Sequence, residues 1–204
     1  MTKKNIWNWQ QADWPIFIYD SSGLTAFEET FLRDSGVFLG SYKHISEEEK
    51  ITLTVDLMSD EALKTSEIEG EILNRDSVQS SIRRNLGLDA DKRKIPAAEQ
   101  GISEMTVDLY RNFSKPLSHE LLFNWHKMLM NGRRDIEVGK YRTHEDAMQV
   151  VSGPLHKPNI HFEAPPSSEM QKEMSRFITW FNDTAAGGKT PLPALTRASI
   201  AHFY

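Results

Sequence analysis

The feature that most constrains the fold of this chain is a succession of helical patterns. Ser46 and Glu49 form a capping box at the start of the longest one. Apolar residues recur with the spacing of an amphipathic helix over residues 22–42, 44–70, 74–88, 95–113, 118–132, 167–183 and 191–204. We therefore predict a mainly α protein.

Two stretches depart from the helical pattern. Residues 5–20 contain three tryptophans and a proline, which predict extended segments wrapped on a core. Residues 148–166 contain two short β-like runs around a Gly/Pro loop. These runs predict a β-hairpin with strands Met148–Val151 and Ile160–Phe162.

The chain has 204 residues, enough for one large domain or two small ones. The charged turn DADKRK, residues 89–94, predicts a boundary between two parts. These parts are an N-terminal helical domain over residues 1–90 and a second part over residues 91–204.

Composition excludes several classes of function. Because the chain has no cysteine, disulfides and thiolate chemistry are excluded, and a reducing compartment is expected. The net charge of −5 gives no electrostatic reason for binding nucleic acid or an anionic membrane. No apolar run approaches the ~20 residues of a membrane span, and no apolar signal-peptide stretch follows the first lysines. We expect a cytoplasmic protein that binds no nucleic acid, membrane or metal through its own residues.

Glu69 lies at the end of the long helical pattern, within ALKTSEIEGEIL, residues 62–73. At about 100° per residue, it continues a helix stripe whose other members are Ile51, Val55, Met58, Ala62 and Thr65. Glu67 and Glu71 fall on the opposite side. An inward carboxylate needs a partner, because an unpaired buried charge is costly. Geometry alone leaves two interpretations open, an inward functional carboxylate and a frayed acidic helix end.

Residues Thr65 to Gly70 read (S/T)-x-x-x-E-(G/N), and other motifs accompany them in order. These are WNWQQADWPIFIYD (7–20), HELLFNWHKMLMNG (119–132), GKYRTHEDAMQVVSG (139–153) with a G-x-(Y/F)-R step, HFEAPPSSEMQKEMSRFITWFN (161–182) and LTRASIAHFY (195–204). Together they resemble the Fic (filamentation induced by cAMP) family. The matching parts are its inhibitory helix, an N-terminal domain that precedes many bacterial Fic cores, the core with its hairpin flap, and the helix leading into the catalytic loop. The resemblance implies a Fic-type helical bundle with a small β-hairpin flap.

Fic proteins similar to this one transfer AMP from ATP to a hydroxyl side chain of a target protein. The resemblance therefore implies a protein adenylyltransferase with ATP and Mg²⁺ as cofactors and a Ser, Thr or Tyr acceptor on the target. In the family's loop, H-P-F-x-(D/E)-G-N-G-R-x-x-R, the histidine takes the proton of the attacking hydroxyl. The acidic residue holds Mg²⁺, the glycine-rich turn binds the polyphosphate, and the last arginine pairs with the γ-phosphate.

This sequence contains no such loop. By the family pattern the loop would begin a few residues after Tyr204, so we expect a fragment truncated before its catalytic residues and inactive by itself. His202 matches a non-catalytic position of the preceding helix. A non-catalytic protein-binding module, or a truncated regulatory homologue, is the alternative, and exposed apolar positions leave a homodimer open.

In the autoinhibited class of the family, a glutamate pairs with the loop arginine before the γ-phosphate can. Carried onto this chain, Glu69 is that inhibitory residue, and Thr65, Ser66 and Gly70 set its helix against the ATP site. Some members with this glutamate also remove AMP from the target, so de-AMPylation by the intact protein stays open.

The family's flap pairs with an extended stretch of the target by strand addition. On this chain the implied target-binding residues are Met148, Gln149, Val150, Val151, Ile160, His161 and Phe162. An ordinary exposed hairpin is the alternative.

Overall fold

The computed structural model describes residues 6–154 and 156–204, and within them the chain is mainly helical. The helices are α1 (Thr25–Tyr42), α2 (Glu47–Ile68), α3 (Arg75–Asn85), α4 (Ala97–Asn112), α5 (His119–Leu129), α6 (Met170–Asp183) and α7 (Ala194–Phe203). Strands β1 (Gln149–Ser152) and β2 (Asn159–Glu163) form one antiparallel sheet. The predicted mainly α fold with a small hairpin is confirmed. None of these helices has the length and apolar content needed to cross a bilayer.

Local hydrogen bonds fix where several helices begin. The Ser46 hydroxyl accepts from the Glu49 amide over 3.2 Å, and the Glu49 carboxylate accepts from the Ser46 amide over 2.8 Å. This is the predicted capping box of α2. The side chains of Asn74 and Ser118 cap α3 and α5 by accepting an amide N–H of the first turn.

The packing of the chain defines two compact units. The helical unit comprises Arg33–Lys140, and the hairpin unit comprises the chain up to Leu32 together with Tyr141–Tyr204. One division therefore falls inside α1. The predicted boundary at residues 90 and 91 lies inside the helical unit, between α3 and α4, which pack against each other. The division into two family-type parts stays a prediction.

The core of the helical unit lies between α2, α3 and α4. Its buried residues are Val55, Met58, Ala62, Val78, Ile82, Ile102 and Val107. Helix α5 approaches α4 closely at Gly101, where a Cβ atom would collide with the Met128 carbonyl oxygen. The Trp125 indole N–H also joins these two helices by donating to the Asp108 carboxylate over 2.8 Å.

The hairpin unit is held together by aromatic side chains. The ring of Tyr204 lies 4.9 Å from that of Trp14, 6.1 Å from that of Phe17 and 5.0 Å from that of Phe177, between ring centroids. The N-terminal segment therefore packs along α6 and α7. Of the segment predicted over residues 5–20, residue 5 lies outside the described residues, and Asn8–Gln10 forms a short 3-10 helix.

Candidate functional site

Helix α2 ends in a Schellman motif at the predicted inhibitory motif. Glu69 is the C-cap residue, and Gly70 has a φ of +84°. The Gly70 amide donates to the Glu67 carbonyl over 3.0 Å, and the Glu71 amide donates to the Ser66 carbonyl over 2.8 Å. These bonds satisfy carbonyls that a helix end leaves free. The turn after Glu69 is thus fixed, and it favours glycine because other residues rarely adopt this φ.

The Glu69 side chain is exposed, so the predicted inward orientation is wrong. The predicted stripe is correct over the middle of α2, where its buried members are Val55, Met58 and Ala62. Ile51 and Thr65, nearer the two ends of the stripe, are exposed like Glu69. The physical reason is that α3 and α4 cover the middle of α2 but not its last turn, and Glu69 lies one residue beyond that turn.

The residues next to Glu69 in sequence are exposed. Ile68 and Ile72 are 80% and 81% exposed, while Glu67 is engaged with Lys64 over 2.7 Å. Among the described residues, the Glu69 carboxylate has neither a hydrogen bond nor an ion pair. The end of α2 therefore presents a free carboxylate between two exposed isoleucines.

Thr65 and Ser66 belong to the helix end itself. The Thr65 hydroxyl donates to the Glu61 carboxylate over 3.3 Å, and Ser66 is half-buried. Together with Glu69 and Gly70 they lie in the helical unit, whereas the predicted flap residues lie in the hairpin unit.

The predicted flap forms the hairpin β1–β2, with strand bounds one residue from those predicted. Val150 lies opposite Phe162 and Val151 opposite Ile160, with a register shift between the two pairs. Near the loop, Ser152 Oγ and His161 Nε2 are 2.6 Å apart. Among the predicted contact residues, Gln149 and Phe162 are half-buried, and the exposed ones are Met148, Val150, Val151, Ile160 and His161. Leu155, in the connecting loop, lies outside the described residues.

The two outer edges of the hairpin differ. The Ala164 amide N–H donates to the Met148 carbonyl of the opposite strand. Along an antiparallel pair, residues alternate between pointing their main-chain groups at the partner strand and pointing them away from it. The next pair, formed by residues 149 and 163, therefore points its main-chain groups outwards. The Glu163 carbonyl accepts the indole N–H of Trp9 over 2.7 Å, which closes the β2 edge there. The outer edge of β1 receives no hydrogen bond from any other segment that the structure describes.

The predicted G-x-(Y/F)-R step begins at Gly139, which has a φ of +71°. Its amide donates to Nδ1 of the half-buried His126 over 2.8 Å, and the Lys127 side chain occupies the space of a Cβ atom at this glycine. His126 thus fixes the start of the step. Arg142, in the hairpin unit, donates to the Pro165 carbonyl, while its buried Nε has no described hydrogen-bond partner.

The residues present do not form a cofactor site of the implied kind. Across residues 6–154 and 156–204 there is no group of three His, Asp or Glu side chains that could hold a metal ion. The acid and the glycine-rich turn that the family uses for Mg²⁺ and ATP belong to a loop that this sequence does not contain.

Comparison with known families matches part of the chain. Residues 7–88 are similar to a domain of unknown function, DUF4172. This match covers less than half of the chain, lies within the predicted N-terminal domain and includes the Thr65–Gly70 motif. No curated protein matches the chain.

Proposed function

We propose that this chain carries the regulatory and target-binding parts of a protein adenylyltransferase, and that Glu69 keeps the enzyme inactive. The single observation that supports this most is the free Glu69 carboxylate at the fixed end of α2, between the exposed Ile68 and Ile72. Because Glu69 has no ion pair among the described residues, it can take up a guanidinium without breaking an existing one.

The physical basis of the inhibition is competition for one cation. A carboxylate and a guanidinium form a charge-assisted and often bidentate pair. An arginine held by Glu69 is no longer available to the γ-phosphate of ATP, so that ATP binds without the orientation that transfer needs.

The hairpin supports the second half of the proposal, which is target binding. An extended target segment adds to a sheet through main-chain hydrogen bonds, and it needs an edge that is not already occupied. Because Trp9 closes the β2 edge at Glu163, we propose that the target strand pairs with β1. The exposed Val150 and Val151 then contact its side chains.

The test of the inhibitory role is AMP transfer from radiolabelled ATP. The assay uses the full translated product of the coding frame that contains these residues, with Glu69→Gly and Glu69→Gln. Loss of a charge-assisted hydrogen bond changes an equilibrium constant by roughly 10- to 100-fold. We therefore expect the rate of AMP transfer to rise by about that factor. Glu71→Gln is the control, because Glu71 is an exposed glutamate two residues further along the chain, and its charge acts on Arg133. No gain at Glu69, or an equal gain at Glu71, contradicts the proposal.

A non-catalytic binding module is the second candidate function, and the open β1 edge favours it. Reading the coding frame past Tyr204 separates the two candidates. The run H-P-F-x-(D/E)-G-N-G-R supports the transferase, and a stop codon supports the binding module.

Self-association into a homodimer remains part of the proposal. An apolar groove of about 610 Å³ lies on the helical unit, lined mainly by residues of α1, α2 and α4 that include Phe38, Leu57 and Leu109. Light scattering over a range of protein concentrations tests it, with a mass of one chain throughout as the contrary result.

A further inference from the structure

No side chain close in sequence caps the start of helix α7. Pro193 occupies its N-cap position and supplies no side-chain acceptor, although the first amides of a helix need partners from outside the helix. In α7 those partners come from α1. The Glu28 carboxylate accepts the Leu195 amide over 3.2 Å and the Thr196 amide over 2.8 Å, and the Thr196 hydroxyl donates to it over 3.0 Å.

Glu28 is only 9% exposed, which is uncommon for a carboxylate. Burial by itself would raise its pKa, but the hydrogen bonds from Thr196 and Leu195 outweigh that effect and hold the pKa of Glu28 below its usual value. The negative charge also lies at the end of α7 where the helix dipole is positive. Glu28 thus does for α7 what Ser46 and Asn74 do for α2 and α3, although it lies 168 residues before Thr196 in the chain.

The other end of α7 is held by the same N-terminal segment. The rings of Phe17 and Phe203 meet edge to face with centroids 5.7 Å apart, and Trp14 packs on Tyr204. The Trp14 indole N–H donates to the Glu173 carboxylate of α6 over 3.0 Å. Residues 7–28, which we call the N-terminal strap, therefore contact α7 at both its ends.

We propose that Glu28 is a positioning residue: it fixes the first turn of α7 and thereby the place of the catalytic loop that the proposed function assigns to the segment after this helix. The effect on the loop rests on the proposed function, whereas the effect on α7 does not. The stretch that is similar to DUF4172, residues 7–88, covers the position of Glu28.

Hydrogen exchange tests the effect on α7 in the 204-residue chain. Glu28→Ala removes all the acceptors, whereas Glu28→Gln keeps one oxygen and turns an amide N–H₂ towards the other donors. We expect exchange in residues 194–203 to rise in the order wild type, Gln, Ala, by roughly 2- to 30-fold, the range that corresponds to a lost helix cap. Glu29→Gln and Glu29→Ala, at the exposed neighbour on the same helix, are the controls. If Glu28→Ala does not keep its helical circular dichroism, Thr196→Val removes the hydroxyl donor alone.

AMP transfer by the full translated product in a Glu69→Gly background tests the effect on the loop. We expect Glu28→Gln to lower kcat by the same roughly 2- to 30-fold and to leave KM for ATP unchanged. The reason is that the ATP-binding groups of the proposed loop stay present and only the helix before them, α7, shifts. Unchanged amide exchange in α7 of the Glu28 variants overturns the inference. Faster exchange also overturns it if the kcat of Glu28→Gln equals that of the Glu29→Gln control. If Glu69→Gly transfers no AMP with Glu28 intact, the proposed function fails, and hydrogen exchange alone decides the role of Glu28.

Discussion

The Trp9 indole N–H donates to the main-chain carbonyl of Glu163, 154 residues further along the chain, and closes one edge of the hairpin. A two-stranded hairpin is marginally stable by itself, so this hydrogen bond both stabilises β2 and leaves β1 as its free edge. Trp9→Phe keeps a large ring but loses the N–H. We expect amide exchange across residues 149–163 to rise by roughly 2- to 13-fold, since a hydrogen bond contributes about 0.5–1.5 kcal/mol.

Trp7→Phe is the control for this experiment. The Trp7 ring packs on Phe162 with centroids 5.8 Å apart, and its indole N–H makes no hydrogen bond to a described residue. Equal exchange rates in the two variants would show that the Trp9 hydrogen bond does not hold the hairpin.

Gly70→Ala is expected to destabilise the protein by about 1–2 kcal/mol, the cost of a left-handed backbone at a residue with a side chain. No atom lies within 4 Å of the added Cβ, so the cost comes from the φ of +84° alone. Gly36→Ala is the matched control, because Gly36 also has open space around it but lies inside helix α1. There alanine should stabilise by about 0.5–1 kcal/mol. Urea unfolding measures both, and a Gly70→Ala variant as stable as wild type is the contrary outcome.

Gly101→Ala should destabilise by about 1–3 kcal/mol, the usual cost of overpacking. The new Cβ would collide with the main-chain oxygen of Met128, and a backbone atom cannot move aside as a flexible side chain can. Helices α4 and α5 would therefore separate. Urea unfolding of Gly101→Ala checks this prediction, with Gly40→Ala as the control, because no atom lies within 4 Å of a Cβ added at Gly40. A Gly101→Ala variant as stable as the Gly40→Ala control would mean that α5 does not rest on Gly101.

We predict that the free energy of unfolding falls at alkaline pH because of Tyr204. Burial, with Glu173 nearby, raises the pKa of its phenol to about 12, above the value of about 10 in an unfolded chain. A group whose pKa is raised on folding contributes stability that is complete below the unfolded pKa and is lost as pH rises through the folded one. Stability should therefore fall from pH about 10 to 12, and Tyr204→Phe should weaken this fall.

Unfolding free energies at several pH values measure the alkaline effect. Tyr19→Phe, at an exposed tyrosine, is the control that should leave the fall unchanged. Identical pH profiles for wild type and Tyr204→Phe would contradict the prediction.

Local features of this protein could be predicted from the sequence because their causes lie within a few residues. The capping box of Ser46 and Glu49, the Ser118 cap and the hairpin strands follow from neighbouring side chains and from alternation. Glu69 could not be oriented in this way, since periodicity gives the stripe of α2 but not how far α3 and α4 cover it.

Long-range contacts could not be predicted from the sequence, for a different reason. The tryptophans of the N-terminal segment predict packing, but nothing near Trp9 indicates that its partner is the Glu163 carbonyl. Glu28 has an ordinary place in an amphipathic helix, and only the fold shows that it caps α7. A helix start at Pro193 with no capping side chain is the one signal that could have suggested an outside acceptor.

ATP affinity tests the central claim, that Glu69 withholds a guanidinium from the γ-phosphate, most directly. Calorimetric titration of ATP into the full translated product compares wild type, Glu69→Gly and the Glu71→Gln control. We predict that Glu69→Gly binds ATP at least about 10-fold more tightly, as expected for one charge-assisted hydrogen bond regained, while the control binds as wild type does. The same ATP affinity in all three proteins would contradict the claim.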